Sequence, residues 1–86
     1  MKVLLPSPLA SYTANRREVQ AAGATLAELF DDLDRRYPGL RFRVIDEQDA
    51  IRPHIKIFVN REQAPSIARA LTPSDEVLVV AALSGG

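Results

Sequence analysis

The residues with the greatest chemical promise close the chain: Leu83-Ser84-Gly85-Gly86. They follow an apolar, strand-like run, Val77-Leu78-Val79-Val80-Ala81-Ala82. The chain is therefore expected to form one domain over residues 1–82 and to leave it as a short flexible tail, residues 83–86. Glycine carries no side chain to obstruct entry into a narrow channel, so the reactive group on such a tail is the α-carboxylate of Gly86. Other candidates offer less. His54 is the single histidine; with no cysteine or serine partner nearby and Pro53 beside it, it reads as structural. Asp31, Asp32 and Asp34 resemble a carboxylate cluster, yet Arg35 and Arg36 follow them, which reads as a solvated helix face. Arg52 is a candidate to pair with acidic groups on a partner.

Composition narrows the remaining chemistry. The 86 residues carry 11 basic and 11 acidic side chains and no cysteine. A disulfide framework, a Cys/His zinc site and a persulfide on the chain's own thiol are thereby excluded. With no block of like charge and no basic stripe interleaved with aromatics, nucleic acid is not the expected partner. No apolar run approaches the ~20 residues needed to cross a bilayer. The opening Met1-Lys2-Val3-Leu4-Leu5-Pro6 is too short for a signal peptide, and the absence of cysteine fits a reducing cytoplasm.

The elements that must position the tail can be read in order. Val3-Leu4-Leu5 is a first strand, ended by Pro6 and Pro8, which cannot donate to a central ladder. Residues 7–15 read as a turn, Arg17 to Ala21 as a second strand, and Ala22-Gly23-Ala24 as a connection. Thr25 with Glu28 three residues on forms a capping box. Leu26, Leu29, Phe30, Leu33 and Tyr37 then recur at helical spacing. Asp31 and Asp32 stand four residues before Arg35 and Arg36, the favourable order for ion pairs along a helix. Pro38-Gly39 ends the helix.

Residues 40–54 admit two readings. Leu40, Phe42 and Val44 alternate with Arg41 and Arg43 as in a strand, while Leu40 and Val44 equally suit one helical turn. Asp46 to Asp49 is a polar turn. Ile55 to Val59 is a strand, Asn60-Arg61-Glu62 its turn, with a short extra strand near residues 62–65. Pro65 to Leu71 reads as irregular or 3₁₀, Thr72 to Asp75 as a turn, and residues 76–82 as the final strand. A helix crossing a mixed sheet with the last strand in its middle is an α+β, β-grasp arrangement. Its core would join Ile55, Ile57, Val59, Val77 and Val79 to the apolar helix face, each aliphatic side chain contributing roughly 1.5–3 kcal/mol. Phe58, Leu78 and Val80 fall on the opposite face. They form an exposed patch that docks onto partner enzymes, or they simply back the sheet or lie under residues 40–54.

Several segments together carry a family likeness: Gly23-Ala24-Thr25-Leu26-Ala27-Glu28-Leu29, Tyr37-Pro38-Gly39-Leu40, Arg52-Pro53-His54, Ile57-Phe58-Val59-Asn60, Ser74-Asp75-Glu76-Val77 and Gly85-Gly86. In this order the chain resembles the MoaD/ThiS family of ubiquitin-like sulfur-carrier proteins. The resemblance implies a β-grasp fold and a cycle run by partners. An E1-like enzyme adenylates the terminal glycine with ATP and Mg²⁺, and sulfur from a persulfide donor displaces AMP. The resulting thiocarboxylate supplies a biosynthetic enzyme making molybdopterin, thiamine, cysteine or another thiolated product. Gly86 would bear the sulfur, and Leu83, Ser84 and Gly85 would form the threading tail. A ubiquitin-like modifier joined to lysines through Gly86, or an interaction domain with an inert tail, are the alternatives.

Elementary chemistry is consistent with a substrate role. A carboxylate accepts sulfur only after one oxygen becomes a good leaving group, and this chain has no phosphate-cradling Gly-rich loop to hold ATP. No bound cofactor is expected. Two turns depart from the family pattern, with Arg61 where glycine often follows the asparagine and Ser74 where glycine often precedes the aspartate. Altered turn geometry is expected there. Ala81-Ala82-Leu83-Ser84 also lacks the prolines common in molybdopterin synthase small subunits.

Overall fold

The computed structural model describes residues 1–82. Five strands, Lys2–Leu4 (β1), Glu18–Gln20 (β2), Ile55–Val59 (β3), Glu62–Gln63 (β4) and Glu76–Ala81 (β5), form one mixed sheet in the order β2-β1-β5-β3-β4. β5 lies in the middle, parallel to β1 and antiparallel to β3. Two helices, Leu26–Arg36 (α1) and Leu40–Val44 (α2), and a 3₁₀ helix over Ser7–Thr13 complete the described residues. This is the β-grasp α+β fold that the element order implies.

Alternation along the strands sends one face to the core. Val3, Val19, Ile55, Ile57, Val59, Val77 and Val79 are all buried, and Leu26, Leu29, Phe30 and Leu33 of α1 close over them. Thr25 caps α1 by accepting the amide of Glu28 at 3.2 Å, as the capping box predicts. The return bond differs: Glu28 Oε1 accepts the amide of Ala24, not that of Thr25. Gly23 lets the chain run close against this helix start. A Cβ there would stand 2.4 Å from the backbone nitrogen of Leu29, so no side chain fits.

Residues 40–44 resolve as helix rather than strand, and the cause lies outside the segment. Asp34 Oδ1, on α1, accepts the amides of Gly39 (3.1 Å) and Arg41 (3.2 Å), supplying the cap that Gly39 itself lacks. Leu40 and Val44 are buried while Phe42 projects outward, 56% exposed. Gly39 takes φ +95°, a left-handed value that costs glycine little.

The acidic group on α1 is thus more than a solvated face. Asp32 accepts the amide of Ala22 at 3.0 Å and pairs with Arg35 and Arg36. Asp31 lies 3.1 Å from Arg41 Nε, an ion pair outside hydrogen-bond geometry, rather than pairing with Arg35. Tyr37 is the C-cap, half-buried at the end of the apolar face.

Three other segments refine the sequence reading. The stretch after Pro6 is a 3₁₀ helix, not a bare turn, because Leu9 and Ala10 reach the core and the buried Thr13 hydroxyl donates to the carbonyls of Ala10 and Arg16. Residues 65–71 are irregular, tied to the start of α1 by the amide of Leu26 on Arg69 O and that of Ala27 on Ile67 O, both at 3.0 Å. The extra strand is the two-residue β4.

Candidate functional site

The site implied by the sequence has two parts, the tail and the surface around its root. Gly86, Gly85, Ser84 and Leu83 lie outside the described residues. The root is well defined. β3 and β5 pair from Val59↔Val77 to Ile55↔Ala81. One further bond, from the amide of Ala82 to the carbonyl of His54 at 2.8 Å, carries the ladder to the last described residue. His54 therefore serves through its main chain, while its side chain is exposed, consistent with a structural reading.

Phe58, Leu78 and Val80 sit together on the sheet face away from α1. Phe58 stands directly opposite Leu78, and Val80 opposite Lys56. Leu78 and Val80 are 39% and 36% exposed, and Phe58 is half-buried. Residues 40–44 do not lie over them, since α2 packs against α1 and the 3₁₀ helix.

Sequence reasoning missed Leu4. It pairs with Leu78 across β1 and β5, so Leu4, Leu78 and Phe58 form a row over three adjacent strands. The alternation of Val3 and Leu5 inward and Leu4 outward was the available signal. Lys2 and Glu76 border the row as an ion pair at 3.6 Å. A hollow of about 300 Å³ opens at its edge between Phe58, Arg61, Glu76 and Leu78.

The two departures from family pattern meet at one end of this face. Asn60 (φ 49°) and Arg61 (φ 73°) form a tight left-handed turn between β3 and β4, the geometry that ordinarily favours Asn-Gly. Asn60 Nδ2 donates to Asp75 Oδ1 at 2.8 Å, and Asn60 Oδ1 accepts the amide of Glu76 at 2.9 Å. The amide and hydroxyl of Thr72 donate to the same Asp75 carboxylate. These bonds, the Thr72 amide foremost, hold Asp75 below the usual aspartate range. The Ala22 amide does the same for Asp32, and the Ala50 and Gln48 amides for Asp46. All three carboxylates tie down main-chain amides of connecting segments. Among the described residues, no group of three His, Cys, Asp or Glu side chains is placed to hold a metal ion.

A sheet with its last strand central, one helix packed across it and an open apolar face on the other side defines a ubiquitin-like, β-grasp protein. The model of the ThiS family matches residues 3–86. Sulfur carrier protein CysO of Mycobacterium tuberculosis is 30% identical over 89 aligned positions, which take in 98% of this chain and 96% of the relative. A chain of the Amycolatopsis orientalis BexX/CysO complex superposes with a TM-score of 0.91 at 27% identity, covering 99% of this chain and 98% of that one. SAMP1 from Haloferax volcanii superposes with a TM-score of 0.78 at 30% identity, covering 100% and 98%. The chain belongs to the ThiS family, the sulfur-carrier family of its CysO relatives. None of the described helices is long and apolar enough to cross a membrane.

Proposed function

We propose that this chain carries sulfur as a thiocarboxylate on Gly86. The observation that supports the reading most is the reach of the family match: it runs through residue 86, across a sheet whose central strand ends just before the tail. An E1-like enzyme supplies ATP and Mg²⁺. The Gly86 carboxylate attacks the α-phosphate, pyrophosphate leaves, and the acyl-adenylate is then open to attack by sulfur. Sulfur from a persulfide donor displaces AMP, a thiol reductant cleaving the S–S bond, and the thiocarboxylate passes to a biosynthetic enzyme. The chain is the substrate throughout, and its fold serves to present the tail. Its similarity to CysO carriers lends no support to molybdopterin as the destination.

The test is intact-mass measurement after incubation with a cognate activating enzyme, ATP and a sulfur donor. Replacement of one terminal oxygen by sulfur is expected, and no mass change in a variant lacking Gly86. An unchanged wild-type mass overturns the proposal. The likeness to SAMP1, whose Haloferax volcanii structure is that of a small archaeal modifier protein, favours a second reading, conjugation to lysines through Gly86. High-mass conjugates that vanish on deletion of Gly86 would identify that route.

A further inference from the structure

Beside the root of the tail the surface is cationic, and its two arginines are held in place before any partner arrives. Arg52 donates from Nε to the carbonyl of Phe42 at 2.7 Å and stacks on the Phe42 ring, its guanidinium carbon 4.5 Å from the ring centre. Arg43 donates from Nε to the Tyr12 hydroxyl, with its guanidinium carbon 5.7 Å from that ring centre. Both guanidinium groups thus spend their inner edge on the protein. Among the described residues, no hydrogen bond or ion pair engages the outer Nη atoms of either, and Lys56 has no ion pair. Asp46 feels the charge of Arg52, but its carboxylate is tied to the amides of Gln48 and Ala50.

The two arginines share a surface with the tail root. Phe42, Arg43, Arg52 and His54 line one hollow of about 180 Å³. Arg43 and His54 also line the adjoining groove of about 410 Å³, whose walls include Tyr12, Ala81 and Ala82. Guanidiniums anchored in this way, with free outer edges, lose little freedom on binding and match carboxylates in bidentate fashion. Phe42, the most exposed large apolar side chain described, adds an apolar rim.

We propose that Arg43 and Arg52 form a docking site for carboxylate side chains on the enzyme that receives the tail, at the mouth of its channel. The proposal rests on the carrier reading above. Distance separates this contact from the chemistry: four residues beyond Ala82, fully extended, reach about 13–14 Å. A nucleotide joined to Gly86 in a threaded tail therefore lies well beyond the arginines, and the anion they meet belongs to the rim. This surface lies at the end of β3 where Ile55 pairs with Ala81, while the Phe58–Leu78 row occupies the middle of the sheet's open face.

Two measurements test it. In steady-state adenylation by a cognate activating enzyme, Arg43→Gln/Arg52→Gln is expected to raise KM about tenfold or more with kcat unchanged, and to flatten the salt dependence of kcat/KM. Arg35→Gln/Arg36→Gln, an equal charge change on the exposed face of α1, should leave KM within about twofold. A KM within about twofold of wild type for the double variant overturns the proposal. Independently of any activity, a synthetic Glu-Glu-Phe-Glu-Glu peptide should shift the Nε–H resonances of Arg43 and Arg52, and its Gln-Gln-Phe-Gln-Gln counterpart should not. Equal shifts from both peptides, or tighter binding of inorganic phosphate than of the acidic peptide, overturn it. If wild type forms no adenylate, the carrier reading fails and the peptide measurement alone decides the docking site.

Discussion

The amide of Ala82 donates to the carbonyl of His54 at 2.8 Å, closing the β3–β5 ladder one residue before Leu83. Every buried hydrophobic side chain of the described residues precedes Ala81, and residues 83–86 follow the end of β5. Deleting those four residues should leave the melting temperature unchanged within about 1 °C, since changes away from buried or capping groups stay within about 0.5 kcal/mol. The same deletion should abolish sulfur loading by intact mass. A large loss of stability would show that the tail packs on the domain.

Leu78 and its cross-strand partner Phe58 predict a separation of folding from recognition. Leu78 is 39% exposed on the open face, whereas Leu29 on the other side of the sheet is fully buried. Leu78→Glu should cost less than about 1 kcal/mol in urea denaturation, against roughly 2–5 kcal/mol for Leu29→Ala. Binding to the activating enzyme should fall about tenfold or more with Leu78→Glu, because a charge would be desolvated against an apolar contact. Unaltered binding would move the docking surface elsewhere.

Arg61 holds φ at 73°, immediately after Asn60 at 49°. A left-handed residue with a Cβ costs roughly 1–2 kcal/mol, while glycine in its place gives back part of that through a more flexible unfolded chain. Arg61→Gly should therefore stabilise the domain by about 0.5–1 kcal/mol, seen as a melting temperature higher by a few degrees. A lower melting temperature would show that the Arg61 side chain contributes packing that outweighs its backbone strain.

Local signals made some elements legible and left others open. α1 could be read because Thr25 and Glu28 mark its start and Leu26, Leu29, Phe30 and Leu33 repeat at helical spacing. β3 and β5 could be read because alternation assigns Ile57 and Val79 inward, Phe58 and Leu78 outward. The segment from Leu40 could not, because its decisive cap is the Asp34 carboxylate of another helix. The pairing of Arg43 with Tyr12 and of Arg52 with Phe42 was invisible for the same reason: the partners stand 31 and 10 residues apart. Gly86 was conspicuous as a chemical group, while the cationic surface beside its root depends on contacts that only folding creates.

The clasp between Asn60 and Asp75 gives the acid sensitivity of the fold a specific origin. Asp75 accepts from the Thr72 amide, from Asn60 Nδ2 and from the Thr72 hydroxyl, and these bonds favour its ionised form. Its folded pKa is thus lower than the unfolded value of about 3.9. A depressed carboxylate contributes stability that is fully present above the unfolded pKa and is lost as pH falls through the folded one. The same sign holds for Asp32 and Asp46. Stability should therefore be level from about pH 7 to about pH 5 as far as these groups decide it, and decline below about pH 4. Asp75→Asn removes the charge and places an amide NH₂ where acceptors are required, so it should melt lower than wild type at neutral pH. The difference should narrow as pH drops below about 4, through the window between the unfolded pKa and the lower folded one. Thermal denaturation of both proteins across this range measures the effect. A gap that stays constant with pH would show that the Asp75 charge adds nothing to the turn beyond the shape of its side chain.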